Sequence, residues 1–350
     1  MAPQTMKQWH IVGKGDFDKG LKLNESAPVP SQLKDNQVLV HFYGASLNFR
    51  DLIIVLGKYP FPAKDNVIPG SDGAGVVEAV GSAVTRFKPG DKVITLFNQT
   101  HLAGDLIPPD MTSGVGGAVD GSLREYGAFS EEGLVHMPSN LNYLEAATLT
   151  CAGLTAWNAL YGVTHAALKP GDWVLTQGTG GVSIFALQFA KAAGCKVIAT
   201  TSSAEKEEKL KKLGADYVIN YKEEPKWGEK AKTLANGGYG LDHVVEVAGP
   251  TTMKQSLAAI RIGGVISIIG FVAGHTTDQP TFLDCLNNLC IVRGLLVGSR
   301  KQFEEMNRAV EAMDIHPVVD QKVFKLDQLK EAYNYQYGQN HVGKVCIQIE

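Results

Sequence analysis

From Trp173 to Gly270 the chain alternates short apolar runs with helical stretches, a pattern that leaves few folds open. The runs Trp173 to Gln177, Lys196 to Thr200, Tyr217 to Asn220, His243 to Val247 and Val265 to Gly270 read as strands. Between them, Val182 to Ala193, Ala204 to Leu213 and Thr251 to Arg261 read as helices. Strands joined by helices run parallel and are covered on both faces, so they become continuous Val and Ile runs rather than alternating ones. The expected class is α/β, with a doubly wound parallel sheet.

The flanking segments follow another pattern. Short strands at Val38 to Tyr43, Gly75 to Val80 and Lys92 to Phe97, with a turn at Pro89-Gly90-Asp91, make the beginning β-rich. Residues 101 to 121, rich in Gly and Pro, read as a long surface loop that shapes specificity. The stretch Ala146 to Val163 is the most apolar, but Thr148, Thr150, Thr155 and Asn158 dilute it, so a buried helix is expected rather than a membrane span. Beyond Gln302 come two amphipathic helices and a closing strand, Val345 to Ile349, that returns to the first part. A chain of 350 residues exceeds the size of one core. The division expected is 1–150 for the β-rich domain, 151–296 for the α/β domain and 297–350 for the return to the first.

Bulk properties narrow the partners. A net charge of -3 offers no surplus for polyanions, which argues against nucleic acid. Met1 to Phe17 holds no apolar run of signal-peptide length, and no membrane partner is expected. Five cysteines, an odd count without paired short spacing, fit reduced thiols in the cytoplasm.

Chemistry begins at Gln177-Gly178-Thr179-Gly180-Gly181-Val182-Ser183, which joins a strand to a helix. Such a turn lets the backbone approach a pyrophosphate at the helix N-terminus. Ser183 replaces the third glycine of the dinucleotide pattern and is small enough to preserve the packing. The next strand ends in Thr200-Thr201-Ser202-Ser203, followed by Lys206, where an NAD site would carry an acidic residue. Hydroxyls and a cation suit a 2′-phosphate, so NADPH is the expected cofactor, with Thr201, Ser202, Ser203 and Lys206 as contacts. Tyr221 either closes the adenine end or packs there.

The motifs Gly70-Ser71-Asp72-Gly73-Ala74-Gly75, Pro89-Gly90-Asp91, the glycine turn, Leu213-Gly214-Ala215-Asp216 and Gly343-Lys344-Val345 occur in an order that resembles the medium-chain dehydrogenase/reductase superfamily over essentially the whole chain. Ser46-Leu47-Asn48-Phe49-Arg50-Asp51 is similar to the zinc-independent quinone oxidoreductases and enoyl reductase domains within it. The resemblance implies a Rossmann domain inserted into a GroES-like β-rich domain, and a homodimer. It implies cofactor contacts from Asn48, Thr155, Val247, Phe271, Ser299 and Lys344 beside Gly178 to Val182. The positions that hold catalytic zinc in the metal-using relatives are Asn48, Ser71 and Cys151 here, so no metal is expected.

Without a Lewis acid, reduction of a simple ketone loses help worth several kcal/mol. Hydride addition to an enone or quinone spreads its charge, and hydrogen-bond donors then suffice. Tyr59 and Asn48 are the expected catalytic residues, the first as proton donor and the second as an amide that orients nicotinamide or substrate oxygen. Arg50 and Asp51 read as a structural ion pair. The expected activity is NADPH-dependent reduction of a small apolar enone or quinone. A metal-free alcohol dehydrogenase or ketone reductase, and a non-catalytic NADPH-binding protein, are the alternatives.

Overall fold

The computed structural model describes residues 2–274 and 276–350, which form two compact units. One joins Met1–Leu154 to Gly298–Glu350; the other is Thr155–Val297.

The first unit is built on a seven-stranded sheet. Its central strand, Gln37–Ser46, pairs antiparallel with Asp72–Val80, Tyr126–Ser130 and the closing strand Cys346–Gln348. Lys92–Thr95 and Leu134–His136 extend one side, and Phe324–Lys325 the other. Pairing with Asp72–Val80 slips twice, and the strands come so close that a Cβ on Gly75 would lie 2.0 Å from the His41 carbonyl oxygen. Only glycine is accommodated there. Phe42, Leu47, Leu52, Val55, Phe324 and Tyr333 fill the core, and Trp9 Nε1 donates to the Leu326 carbonyl at 2.7 Å. That bond ties the beginning of the chain to its end.

A hairpin of Thr5–Ile11 with Leu21–Pro28 escaped the sequence reading because Lys22, Asn24, Glu25 and Ser26 make its second strand look like a loop. The apolar stretch after Tyr143 is not one helix. A widened π-helical turn at Leu149–Gly153 separates Tyr143–Ala147 from Leu154–Tyr161. Residues 102–112 lie mostly at the surface, as expected, but Ser113 to Gly117 turn inward and are buried. Val115 is satisfied from the core, its N donating to Phe97 O at 2.9 Å and its O accepting from Arg50 Nη1 at 2.7 Å, while Ser113 N and Gly116 N donate within the loop to Asp110 O and Val119 O.

The second unit is α/β. Six parallel strands lie in the order Tyr217–Asn220, Lys196–Thr201, Trp173–Gln177, Leu241–Glu246, Ile260–Ile268 and Ile291–Gly294. The strand order reverses beside Trp173–Gln177, and ligands of such sheets bind where that happens. Helix Gly181–Ala192 buries Ile184, Phe185, Leu187 and Phe189. No helix among the described residues is long and apolar enough to cross a membrane.

His243, buried in the second unit, has its imidazole pushed down to about 4 by burial and by Arg261, against the pull of Asp242. It stays neutral in the folded protein where the unfolded chain takes up a proton. This contribution to stability is therefore complete above pH 6.5 and is lost as pH falls towards 4. Urea melts should show on the order of 2 kcal/mol of lost stability between pH 7 and 4.5 from this group. His243→Gln should flatten that slope, and an unchanged slope would clear the residue.

Candidate functional site

The glycine turn in the second unit leaves open space where a phosphate needs it. Gly178 has φ of +72°, and a Cβ on Gly178 or Gly180 would meet nothing within 4 Å. Gly180 caps a 12-residue helix whose first amides point into that space. Ser183 secures the turn by donating to the Gln177 carbonyl at 2.6 Å. Thr179 is buried, while Gly181 and Val182 are half-buried.

A buried network below the turn went unread in the sequence. Gln177 Nε2 donates to Glu246 Oε2 at 2.7 Å and to Ser256 Oγ at 3.1 Å, and its Oε1 accepts from the Val247 and Ala248 amides at 3.1 and 3.2 Å. Glu246 Oε1 accepts from the Gly249 amide at 2.9 Å and from Thr252 Oγ1 at 2.7 Å. Every acceptor of this buried carboxylate is answered, which locks the ends of two neighbouring strands. An acid at the end of an apolar run was the available signal.

At the end of Lys196–Thr201, Thr201 is buried and its Oγ1 has no protein partner among the described residues. Ser203 caps the following helix by accepting from Lys206 N at 3.2 Å. Ser202 and Lys206 are half-buried; burial first, then Lys209, lowers the Lys206 ammonium below its ordinary value. Tyr221 and Phe271 are exposed, Val247 is half-buried and Thr155 is buried. The open turn and the orphaned hydroxyl fit a dinucleotide, whose pyrophosphate would rest on the amides around Gly180.

The first unit gathers Asn48, Ser71, Asp72 and Lys344. Lys344 Nζ donates to Leu47 O at 2.7 Å, Asn48 Oδ1 at 2.5 Å and Asp72 Oδ2 at 3.2 Å. Asn48 Nδ2 donates to Ser71 Oγ at 3.3 Å, and Ser71 Oγ donates to Asp72 Oδ1 at 2.7 Å. Ser46 Oγ donates to Asp72 Oδ2 at 2.7 Å. Asn48 stands at the start of helix Phe49–Val55, where its backbone N–H donates to Asp51 Oδ2 at 2.8 Å. Burial foremost pushes Asp51 up to about 6, against the opposing charge of Arg50. Ser299, expected to meet the cofactor, accepts from Gln302 N at 3.3 Å and caps helix Arg300–Ala312.

Arg50 and Asp51 do face each other, at 3.6 Å, but the guanidinium has further neighbours. Its carbon lies 5.3 Å from the Tyr59 ring centre and 4.6 Å from that of Phe97. Burial alone would lower the guanidinium, yet Tyr59 and Asp51 beside it carry it above its ordinary value. Tyr59, half-buried, also packs edge-on against Phe61 at 5.4 Å.

Two family models match. Residues 34–139 match the alcohol dehydrogenase GroES-like domain and residues 181–312 the zinc-binding dehydrogenase model. A zinc-type alcohol dehydrogenase-like protein of Schizosaccharomyces pombe is 49% identical over 93% of this chain and 94% of its own length. The structure of a putative alcohol dehydrogenase from Sinorhizobium meliloti 1021 superposes with a TM-score of 0.90 at 39% identity, covering 99% of this chain and all of that one. The 2-octenoyl-CoA carboxylase reductase CinF from a streptomycete, solved with NADP and 2-octenoyl-CoA, superposes with a TM-score of 0.86 at 26% identity over 100% of this chain and 88% of that one.

The zinc that the matched model's description carries does not fit the residues here. A catalytic zinc needs about three thiolate, imidazole or carboxylate ligands. Asn48 and Ser71 are neutral, and burial first of all pushes the Cys151 thiol up to about 12. The ammonium of Lys344 already holds Asn48 Oδ1. On its sequence and its fold alike, the chain belongs to the medium-chain dehydrogenase/reductase superfamily, as an oxidoreductase of a family that binds a nicotinamide cofactor.

Proposed function

We propose that this enzyme is an NADPH-dependent, metal-free reductase of activated double bonds, taking a small apolar enone or quinone. The observation that carries the reading is the Lys344–Asn48–Asp72 network, which leaves the Asn48 amide N–H as a donor where a Lewis acid would be needed for a simple ketone. When bound, NADPH supplies the hydride. Asn48 Nδ2 then hydrogen-bonds the substrate's carbonyl oxygen, which gains charge as hydride arrives at the β-carbon. The Tyr59 hydroxyl gives a proton to the α-carbon, and Arg50 beside its ring steadies it. The substrate of the carboxylase reductase, an α,β-unsaturated thioester, is of the same electronic class. Alcohol dehydrogenation is the second reading, favoured by the names of the yeast and Sinorhizobium relatives.

Preference for NADPH rests on Thr201, Ser202, Ser203 and Lys206, which bring hydroxyls and one cation and no carboxylate. We also assign the active form as a homodimer joined at the second unit. Among the described residues strand Ile291–Gly294 is the last of its sheet, and Phe282, Leu286 and Leu289 beside it are exposed. An unpaired strand edge with apolar neighbours suits a second copy. Five free thiols support a reducing, cytoplasmic setting.

The main test incubates the enzyme, with a chelator present, with NADPH deuterated at the transferred position and an enone bearing both reducible groups. Deuterium is expected on the β-carbon at an undiminished rate. Label on the carbinol carbon would establish the alcohol dehydrogenase reading, and no transfer across a broad panel would favour a non-catalytic role. In the same assay Tyr59→Phe should lose about tenfold to a hundredfold in kcat, and an unchanged rate would remove Tyr59 from proton transfer.

For Lys206→Ala, calorimetry should show NADPH binding weakened about tenfold or more with NADH little affected. Equal losses for both cofactors would exclude a phosphate contact. Light scattering should give twice the chain mass, reduced to one by charges at Phe282 and Leu286; a monomeric wild type would refute the dimer.

A further inference from the structure

Lys344 was expected to touch the cofactor, yet its surroundings assign it other work. An ammonium has three donors and no acceptor. Leu47 O, Asn48 Oδ1 and Asp72 Oδ2 take all three, in a place where the lysine and the aspartate are both buried. A donor-only group at 2.5 Å also decides which way the Asn48 amide lies, since only the oxygen can face it. The NH2 edge must then point away. Ser71 Oγ takes one of its hydrogens at 3.3 Å, because the serine's own proton goes to Asp72 Oδ1 at 2.7 Å. The second hydrogen has no hydrogen-bonding protein partner among the described residues. A cation on the amide oxygen draws density from nitrogen and strengthens that free N–H as a donor.

We propose that Lys344 is a positioning residue: through Asn48, its buried ammonium fixes and polarises the one amide N–H that receives the substrate oxygen. A fixed organic cation acting through an amide thus stands in for the direct pull of a metal. The proposal rests on the reductase reading for its substrate. It does not rest on that reading for the coupling between Lys344 and Asn48.

The test uses the full-length enzyme as wild type, K344R, K344M, N48A, N48D and N48A/K344M. K344M should lose about tenfold or more in kcat while NADPH binding stays within about twofold, and K344R should recover part of the loss. N48D keeps an oxygen for the ammonium but has no N–H to offer; it should melt near the wild-type temperature and still lose about tenfold or more in kcat. The double variant should be no slower than N48A. Multiplying losses in the double variant would overturn the relay. So would a K344M defect that lies wholly in NADPH binding, which would make Lys344 a cofactor contact.

If K344M does not fold, K344Q takes its place in the same comparisons. If the wild type reduces nothing, the reductase reading fails by itself and melting decides the coupling. Depressions of Tm in K344M and N48A that fall short of adding in the double variant support the fixed amide, and strictly additive ones overturn it.

Discussion

A charge cannot be buried alone, and the first unit is arranged around that constraint. Desolvating Lys344 and Asp72 costs several kcal/mol for each ion, recovered only when every donor and acceptor is answered. The answers come from three stretches of chain: Ser46 to Asn48, which leads from the central strand into a helix, Ser71 beside Asp72, and Lys344 entering the last strand. Each group can be in place only if the central strand pairs in register with both neighbours. Cys346 opposite Ser46, and Ser46 opposite Asp72, are that register. Packing and site geometry are therefore one condition: a slipped strand would strand a charge.

The second unit solves a similar problem with neutral groups and one carboxylate. Its glycine turn must stay open, and an open turn has no side chains of its own to brace it. Bracing comes from below, where Gln177 and Glu246 bind the backbone of 247 to 249. A cofactor phosphate bound there would meet amides that are already directed, with little ordering left to lose on binding. This accounts for a fully buried glutamate after the apolar pair Val244 and Val245.

The parallel sheet was legible because its periodicity is local: a run such as Trp173–Gln177 announces itself in five residues. The glycine turn was legible for the same reason. Asn48, Ser71 and Cys151 could be singled out only through resemblance, and what binds Asn48 could not be seen at all. Lys344 lies 296 residues away, and no local pattern carries a contact of that separation. Within loop 101–121 composition could not show that Ser113 to Gly117 turn inward, because it reports polarity but not burial; the Phe97 carbonyl and the Arg50 guanidinium that hold Val115 come from elsewhere in the chain. Arg50 and Asp51 were paired correctly by proximity, but the rings of Tyr59 and Phe97 on the guanidinium were beyond reach of the sequence.

Replacing a metal by an ammonium changes what a pocket can ask of its substrate. Zinc pulls directly on a carbonyl oxygen and supports the concentrated charge of an alkoxide. An ammonium already bound to a carboxylate, a backbone carbonyl and an amide has no donor left, so its influence reaches outward only through the groups it holds. Such an indirect pull is weaker, and on the proposed reading it suits substrates that spread the developing charge over a conjugated system. Asp72 moderates it further, since an unpaired ammonium there would face desolvation without relief. The proposed substrate class and the internal ion pair would thus follow from the same limit on how strongly such a pocket can pull.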